Sequence, residues 1–227
     1  MNKWTLTEII PPINMHIGEY IISIASTYML DDGKTKILID PGAQIISPIL
    51  LGKLNELRVD KKDIDYIIVT HMHADHYYNI VFFPEAQLIV NKKCVDDWRK
   101  RMATMLGEKR ASSLENLILG ERKVIFIEEE KLEFFNGLEI ISVNLHQPGH
   151  LIVLVETDRG CEAITGDALL LPIWDVIRIL TGEIVVKIPE LVSLLNMLME
   201  KCSKIHQGHF SAIDVRKVKK FINAMKS

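Results

Sequence analysis

The residues best suited to chemistry are crowded into one short segment, His71-Met-His73-Ala-Asp75-His76, which directly follows the apolar run Tyr66 to Thr70. Imidazole nitrogens and carboxylate oxygens are the usual protein ligands of zinc. Packing four of them together without a cation would place polar groups against one another in a partly buried position, which costs free energy. The segment therefore predicts a metal-binding loop at the end of a buried strand.

The spacing of these four residues indicates two neighbouring cations rather than one. If the chain stays extended after Thr70, the side chains at positions 71 and 73 can project toward the same ion. A turn into a helix would carry Asp75 and His76 past that ion toward a second one. Crevices beyond the carboxyl ends of strands are where open α/β sheets commonly place their active sites.

Three later segments, Pro-Gly-His150, Gly-Asp167 and Gly-His209, carry ligand-type residues just after apolar runs. Taken singly, each is better explained as an ordinary turn than as a functional site. His146 and His206 lie close to two of these segments. We interpret both as structural residues, with the alternative that one of them lines the cleft.

The elements that must position these residues are short strands and amphipathic helices, mixed from end to end. Strands are predicted over Tyr20–Ile24, Thr35–Ile39, Tyr66–Thr70, Gln87–Val90, Val124–Ile127, Leu138–Val143, Ile152–Glu156 and Glu162–Thr165. Helices are predicted over Ile45–Leu57, Lys92–Leu119, Pro189–Cys202 and Ala212–Met225. Because no linker or repeat divides them, we predict one α/β domain over residues 1–227.

The segment 92–123 is an exception in composition, with nine Lys or Arg against five Asp or Glu. We interpret it as a helical insert. It is either a solvated helical face that covers a sheet edge, or a cap that meets an anionic substrate. In the second interpretation the contacts would come from Arg99, Lys100, Arg101 and Lys109, with Trp98 as an aromatic contact.

The overall composition excludes several classes of protein. Hydrophobic residues make up 48% of the 227 positions, which is enough for a sizeable core. The net charge of -3 lacks the strong positive excess that is typical of nucleic-acid-binding proteins. The three cysteines are far apart and form no CxxC pair, so we expect ordinary buried thiols in a reducing compartment. We find no signal peptide and no apolar run of about 18 residues, and predict a cytoplasmic protein without membrane association.

Taken together, the ordered motifs resemble those of the metallo-β-lactamase superfamily. In chain order, its opening IDTG-type element is matched by Asp40-Pro-Gly, its HxHxDH signature by residues 71–76, its PGH by Pro-Gly-His150, its GD by Gly-Asp167 and its terminal GH by Gly-His209. The similarity extends from about residue 20 to about residue 212, so it covers almost the whole chain.

The resemblance implies a four-layer αββα sandwich of two mixed β-sheets, with helices outside. It also implies two divalent metal ions, with Zn²⁺ expected and Fe or Mn as alternatives. The implied ligands are His71, His73 and His150 for one ion, Asp75, His76 and His209 for the other, and Asp167 as a bridge between them. Two adjacent cations can lower the pKa of a shared water and hold the substrate's oxygen.

Two departures from the family's pattern stand out. Leu151 follows His150 at once, where family members often continue with a small polar turn; we interpret this as a difference in loop length and not in the ligand. Tyr77 and Tyr78 replace the small residues that are common after the DH pair. Either tyrosine could face the substrate, although an aromatic ring packed beneath the ligand loop is the more favoured interpretation.

Other residues are assigned roles around this centre. Asp75 is expected to be catalytic, as the general base that takes or relays a proton. Asp40 is expected to orient a ligand imidazole from behind, or else is only a turn residue. Trp174 is expected to form a wall of the substrate pocket together with Tyr77 and Tyr78, or else to lie in the core.

The predicted function is a metal-dependent hydrolase acting on an ester, thioester, lactone or phosphodiester. The substrate is a small molecule or, given the basic insert, a nucleic-acid phosphodiester. One alternative is a mono-iron oxidoreductase of the persulfide dioxygenase type, and another is a non-catalytic metal-binding interaction module. Because the apolar edges of this fold often serve dimers, a homodimer is also considered.

Overall fold

A computed structural model describes residues 3–226 of the chain. Its strands are β1 (Thr5–Ile10), β2 (Ile13–Ile17), β3 (Tyr20–Ile24), β4 (Thr27–Asp31), β5 (Lys36–Ile39), β6 (Tyr66–Ile68), β7 (Gln87–Asn91), β8 (Val124–Ile127), β9 (Lys131–Phe135), β10 (Leu138–Val143), β11 (His150–Thr157), β12 (Gly160–Ile164), β13 (Lys204–His206) and β14 (Ile213–Asp214). Its α-helices are α1 (Ser47–Glu56), α2 (Ala74–Tyr77), α3 (Lys92–Leu106), α4 (Glu108–Ile118), α5 (Ile173–Leu180), α6 (Pro189–Lys201) and α7 (Val215–Lys226).

The strands form two six-stranded sheets and a separate hairpin. The first sheet has the order β1-β4-β5-β6-β7-β8, and its last four strands run parallel. The second has the order β14-β13-β12-β11-β10-β9 and is antiparallel except between β12 and β13. Strands β2 and β3 form the hairpin. The central strands are continuous apolar runs because both of their faces are buried.

Three apolar cores separate four layers. Residues such as Leu30, Ile68 and Val153 fill the space between the two sheets. Leu50 of α1 and Val95 of α3 pack in the core on the other side of the first sheet, and α5, α6 and α7 contribute to the corresponding core of the second. The αββα sandwich of two mixed sheets that the sequence predicted is therefore confirmed. Each helix in the described range falls short of the length and apolarity needed to cross a bilayer.

The basic insert, residues 92–123, contains the two helices α3 and α4. The helix predicted there is interrupted at Gly107, which has a φ of +81°. Val95, Trp98 and Ile118 pack into the core beside the first sheet. Trp98 is buried, and its indole N–H donates to the hydroxyl of Tyr77 at 3.1 Å. The structure thus disfavours the alternative in which Trp98 is an aromatic contact for a substrate, because this ring is enclosed by the core.

One buried carboxylate joins two strands of the second sheet. Oε2 of Glu162 in β12 lies 2.9 Å from Nε2 of His206 in β13, and its Oε1 accepts hydrogen bonds from Arg159 and Thr157. Burial would raise the pKa of Glu162, but the hydrogen bonds from His206, Arg159 and Thr157 outweigh it and lower this pKa to about 2. The folded protein therefore favours the ionised form of this side chain.

We expect Glu162→Gln to lower the free energy of unfolding near neutral pH by about 2 to 3 kcal/mol. Because the folded pKa is depressed, this stabilisation is complete above the unfolded pKa of roughly 4.3 and is lost as the pH falls through the folded value. Urea unfolding of both proteins across that acidic range should show the difference shrinking. Glu156→Gln, at an exposed position of the adjacent strand β11, is the matched control and should cost little. A difference that is independent of pH would contradict the assignment.

Candidate metal centre

The ligand-type residues converge at one edge of the sandwich, in loops that follow the carboxyl ends of strands. After β6 the chain stays extended through His73, whose φ and ψ are -97° and 143°, and α2 then begins at Ala74. His146 lies in the loop between β10 and β11, Asp167 in a 3₁₀ turn after β12, and His209 in the loop after β13. The extended loop and helix start after β6 agree with the path predicted from the sequence.

The first group of candidate ligands consists of His71, His73, His146 and Asp167, whose ligand atoms all lie within 4.8 Å of one another. Nδ1 of His73 is 2.9 Å from Nε2 of His71 and 2.9 Å from Nε2 of His146. Oδ2 of Asp167 is 3.5 Å from Nε2 of His146 and 3.8 Å from Nε2 of His71. Three imidazoles and one carboxylate therefore surround a common point.

The second group consists of Asp75, His76 and His209, again with ligand atoms within 4.8 Å of one another. Nε2 of His209 lies 3.1 Å from Oδ2 of Asp75, and Nε2 of His76 lies 3.8 Å from the same oxygen. Asp167 stands between the two groups, because its Oδ1 is 3.3 Å from Nε2 of His76 and its Oδ2 is 3.4 Å from Nε2 of His209. This carboxylate is placed where both groups can share it.

Two buried atoms show that this arrangement suits cations. Nε2 of His76 and Oδ1 of Asp167 are inaccessible to solvent, and neither has a hydrogen-bond partner among the described residues. Such groups are costly to bury unless something binds them. A nitrogen-rich set with one shared carboxylate matches the ligand preference of zinc and related divalent ions. The residues present therefore fit a metal centre.

The structure brings His146, and not His150, into the first group. Nε2 of His150 instead lies 2.9 Å from the carbonyl oxygen of Thr165 and 3.0 Å from the backbone nitrogen of Ala168. The ring is completely buried, and burial lowers its pKa to about 3. His150 is the first residue of β11, so it lies beneath the ligands, whereas His146 in the preceding loop reaches them. The sequence interpretation of His146 as structural and His150 as a ligand is reversed in this geometry.

Two of the candidate ligands are held from behind by side chains that are far away in sequence. Oδ2 of Asp40 lies 2.8 Å from Nδ1 of His76, and the same carboxylate accepts hydrogen bonds from the backbone N–H and hydroxyl of Thr70. Oγ of Ser23 lies 2.7 Å from Nδ1 of His209. Ser23 belongs to the β2–β3 hairpin and was not foreseen, since its sequence carries no motif for this contact. Such contacts fix which imidazole nitrogen faces the metal.

The carboxylates dominate the electrostatics of the site. Burial would raise the pKa of Asp167, but its close contacts with His209 and His76 and the charge of His76 hold this pKa well below its usual range. Burial lowers the pKa of His76, yet Asp40 and Asp167 outweigh it and raise this pKa to about 10. The pKa of His209 is raised to about 9 in the same way, against burial, by Asp167 and Asp75. The negative charge that holds protons on these rings would also attract a divalent cation.

The three residues predicted to line a substrate pocket are placed differently from one another. Tyr77 is buried with its hydroxyl against Trp98, so the structure supports the alternative in which it packs beneath the ligand loop. Tyr78 is partly buried and packs against the same core. Trp174, at the start of α5, is exposed and contacts the ring of Phe221 at 5.7 Å between centroids. Of the three, Trp174 alone presents a large exposed aromatic surface.

We expect Asp40→Asn to weaken metal binding by about 10- to 100-fold, because one amide oxygen cannot replace both carboxylate oxygens, which face the Thr70 backbone N–H and Nδ1 of His76, and it carries no negative charge to hold the same ring tautomer. Asparagine tolerates the left-handed backbone of position 40, where φ is +49°, so the fold should persist. Competition with a chromophoric chelator measures the affinity. Asp65→Asn is the control, since Asp65 also accepts a backbone N–H, from Lys36, but lies before the start of β6. Equal affinities in the two variants would contradict a role for Asp40.

We expect Gly208→Ala to weaken metal binding by about tenfold or more, since a displaced ligand loses its aligned geometry. A Cβ at position 208 would collide with Oδ1 of Asp167 and approach Cε1 of His76 to 3.1 Å. Gly52→Ala in α1 is the control, because a Cβ there meets nothing within 4 Å and should leave metal binding unchanged. The same titration applies, and unaltered affinity in Gly208→Ala would show that the Asp167 position is not constrained as described.

Comparison with known proteins gives a consistent result. A family model described as the metallo-beta-lactamase superfamily matches residues 22–209. A protein of Methanocaldococcus jannaschii named "Probable metallo-hydrolase" is 30% identical over 191 residues, which cover 78% of this chain and 84% of that protein.

Two solved structures share the fold. A crystallised candidate metallo-beta-lactamase from Thermotoga maritima has a TM-score of 0.75 at 21% identity and covers 93% of this chain and 99% of its own. A quorum-quenching N-acyl homoserine lactone lactonase has a TM-score of 0.57 at 16% identity, with coverages of 99% and 89%.

Proposed function

The chain belongs to the metallo-beta-lactamase superfamily, and on that premise we propose that it is a hydrolase with a dinuclear metal centre, with zinc as the expected metal. The observation that carries the proposal is the position of Asp167. Its carboxylate contacts His146 in one ligand group and His76 and His209 in the other, and one of its buried oxygens has no hydrogen-bond partner in the described chain.

The proposed ligand sets follow from this geometry. Nε2 of His71, Nδ1 of His73 and Nε2 of His146 would hold one ion, and Asp75, His76 and His209 would hold the other, with Asp167 shared. His146 thus takes the place that sequence reasoning gave to His150. When bound, a pair of divalent cations lowers the pKa of water and polarises the oxygen of an electrophilic substrate.

Asp75 is the residue we propose for proton transfer. Burial would raise its pKa, but the hydrogen bond from His209 and the charge of His76 lower it, so the carboxylate is ionised and able to accept a proton. Its side chain is 31% exposed, whereas those of His71 and His76 are fully buried. Asp75 is therefore the acidic ligand that solvent and substrate can reach, which a general base requires.

For the substrate we propose the classes in which a cation can polarise a carbonyl or phosphoryl oxygen while water attacks the attached carbon or phosphorus: ester, thioester, lactone or phosphodiester. The lactonase named above shares the fold alone and does not single out a lactone. The positively charged side chain of Arg101 lies beside the ligand loop. Its Nη2 donates to the carbonyl oxygen of Met72 at 3.3 Å, and its Nε lies 3.0 Å from Oδ2 of Asp97. Arg99 is paired with Glu115 and Asp96 and is less available. A substrate with an anionic group near Arg101 is consistent with this arrangement.

Metal content and turnover test the proposal together. We expect close to two divalent ions per chain by elemental analysis, and hydrolysis of at least one substrate in a panel of p-nitrophenyl esters, lactones, thioesters and bis(p-nitrophenyl) phosphate. Chelation should abolish that activity and added zinc should restore it. One bound iron with oxygen consumption would instead indicate the oxidoreductase alternative, and two ions with no turnover across the panel would indicate the binding module.

A further inference from the structure

Two of the three cysteines lie side by side although they are 41 positions apart in the chain. Cys161 is in β12, and Cys202 directly follows the last residue of α6. Both are free thiols, and their Sγ atoms are 3.2 Å apart. The chain contains no CxxC pair, and its pattern favoured separate buried thiols, so this proximity is a product of the fold.

The two thiols differ in their access to solvent. Cys161 is partly exposed and lines a cavity of about 410 Å³, together with Glu139, Glu156 and Lys201. Cys202 is buried behind it. A hydrogen bond from Cys202 lowers the pKa of Cys161, whereas its contact with Cys161, together with burial, raises the pKa of Cys202. Cys161 is therefore the thiol that a small reagent reaches first and finds more readily ionised.

We propose that Cys161 and Cys202 form a redox-active dithiol that hydrogen peroxide converts to an intramolecular disulfide. The thiolate of Cys161 attacks one peroxide oxygen, the O–O bond breaks, and Cys161 becomes a sulfenic acid while the other oxygen leaves as water after protonation. The sulfur of Cys202 then attacks the sulfur of Cys161, its proton passes to the departing oxygen, and a second water leaves. Both sulfurs are oxidised, and the peroxide is reduced to two waters.

Hydrogen bonds hold the two cysteine-bearing segments beside each other. Ser203, next to Cys202, donates both its N–H at 2.7 Å and its hydroxyl at 3.0 Å to the carbonyl oxygen of Cys161. The bond would close the loop between residues 161 and 202, which contains Asp167, and it would join the starts of β12 and β13. Closing such a loop should raise the Tm by on the order of 10 °C relative to the reduced protein.

The test is peptide mapping of the full chain under non-reducing conditions after treatment of the reduced protein with equimolar hydrogen peroxide. We expect a crosslinked peptide pair containing Cys161 and Cys202, reversed by dithiothreitol, and a higher Tm for the oxidised protein. Cys94 is an internal control, because it is buried and burial raises its pKa to about 12, so it should stay reduced.

Two variants assign the steps. Cys202→Ser should accumulate a sulfenic acid at Cys161 that dimedone labels, and Cys161→Ser should leave Cys202 unreacted. Oxidation without the crosslink in the native chain, or labelling of Cys94 at the same rate as Cys161, would overturn the proposal. Neither readout requires a metal or a substrate, so failure of the hydrolase proposal would not affect it.

Discussion

Asp167→Asn is expected to bind fewer than one divalent ion per chain and to lose activity by on the order of 10⁴-fold, the largest effect among the substitutions proposed for this protein. Asp167 is the carboxylate that lies between both groups of candidate ligands, with oxygens 3.3 Å from Nε2 of His76 and 3.4 Å from Nε2 of His209. An amide of the same shape brings no negative charge, so the charge of two cations would have to be balanced by Asp75 alone.

Elemental analysis and turnover of the best panel substrate measure this effect, with circular dichroism to verify the fold. Asp158→Asn is the matched control: its side chain is 93% exposed, 3.6 Å from Lys3, and it should retain native metal content and rate. Retention of two ions by Asp167→Asn would show that the carboxylate is not needed by both ions, and the role of Asp167 as a shared ligand would have to be abandoned.

His146→Ala is expected to lose one of the two ions and to reduce activity by about a thousandfold. His146 contributes one of three imidazoles to the first group, with Nε2 at 2.9 Å from Nδ1 of His73. Its side chain is 25% exposed, so little packing is lost and the folded protein should survive the change. Cobalt substitution provides a second readout, since loss of one nitrogen ligand alters the visible absorption spectrum of the bound ion.

His150→Gln is the comparison that separates the two histidines. The glutamine amide can replace Nε2 of His150 in its contacts with Thr165 and Ala168, so we expect two bound ions and a loss in unfolding free energy of roughly 1 to 3 kcal/mol. If His150→Gln loses the ion and His146→Ala keeps it, the ligand suggested by the Pro-Gly-His motif was the correct one and the geometry described above is not the functional one.

The proposed ligand set, with His146 in place of His150, shows where matching a family motif reaches its limit. Pro-Gly-His150 reproduces three letters of a family motif, yet Leu151 follows at once and β11 begins at His150 itself. A residue at the start of a buried strand is fixed by the sheet, whereas the loop before it is free to bend toward the metal centre. His146 has a φ of +65°, a left-handed conformation that turns the chain at this point. The missing polar turn after His150 was the available signal, and it was interpreted as a change in loop length.

The sequence by itself determined the local features of this protein. Strand and helix periodicity predicted the α/β class, and the ligand types at positions 71 to 76 predicted a metal-binding loop after β6, because both depend on neighbours along the chain. The αββα sandwich was implied by the family resemblance that the ordered motifs carry. Only the tertiary structure decided which side chains that are distant along the chain come into contact. His146 beside His73, Ser23 beside His209 and Cys161 beside Cys202 are pairs separated by 73, 186 and 41 positions. Their distances are set by how the two sheets, their loops and the β2–β3 hairpin pack together and by the register of β12 on β13, and no local pattern of residues encodes these.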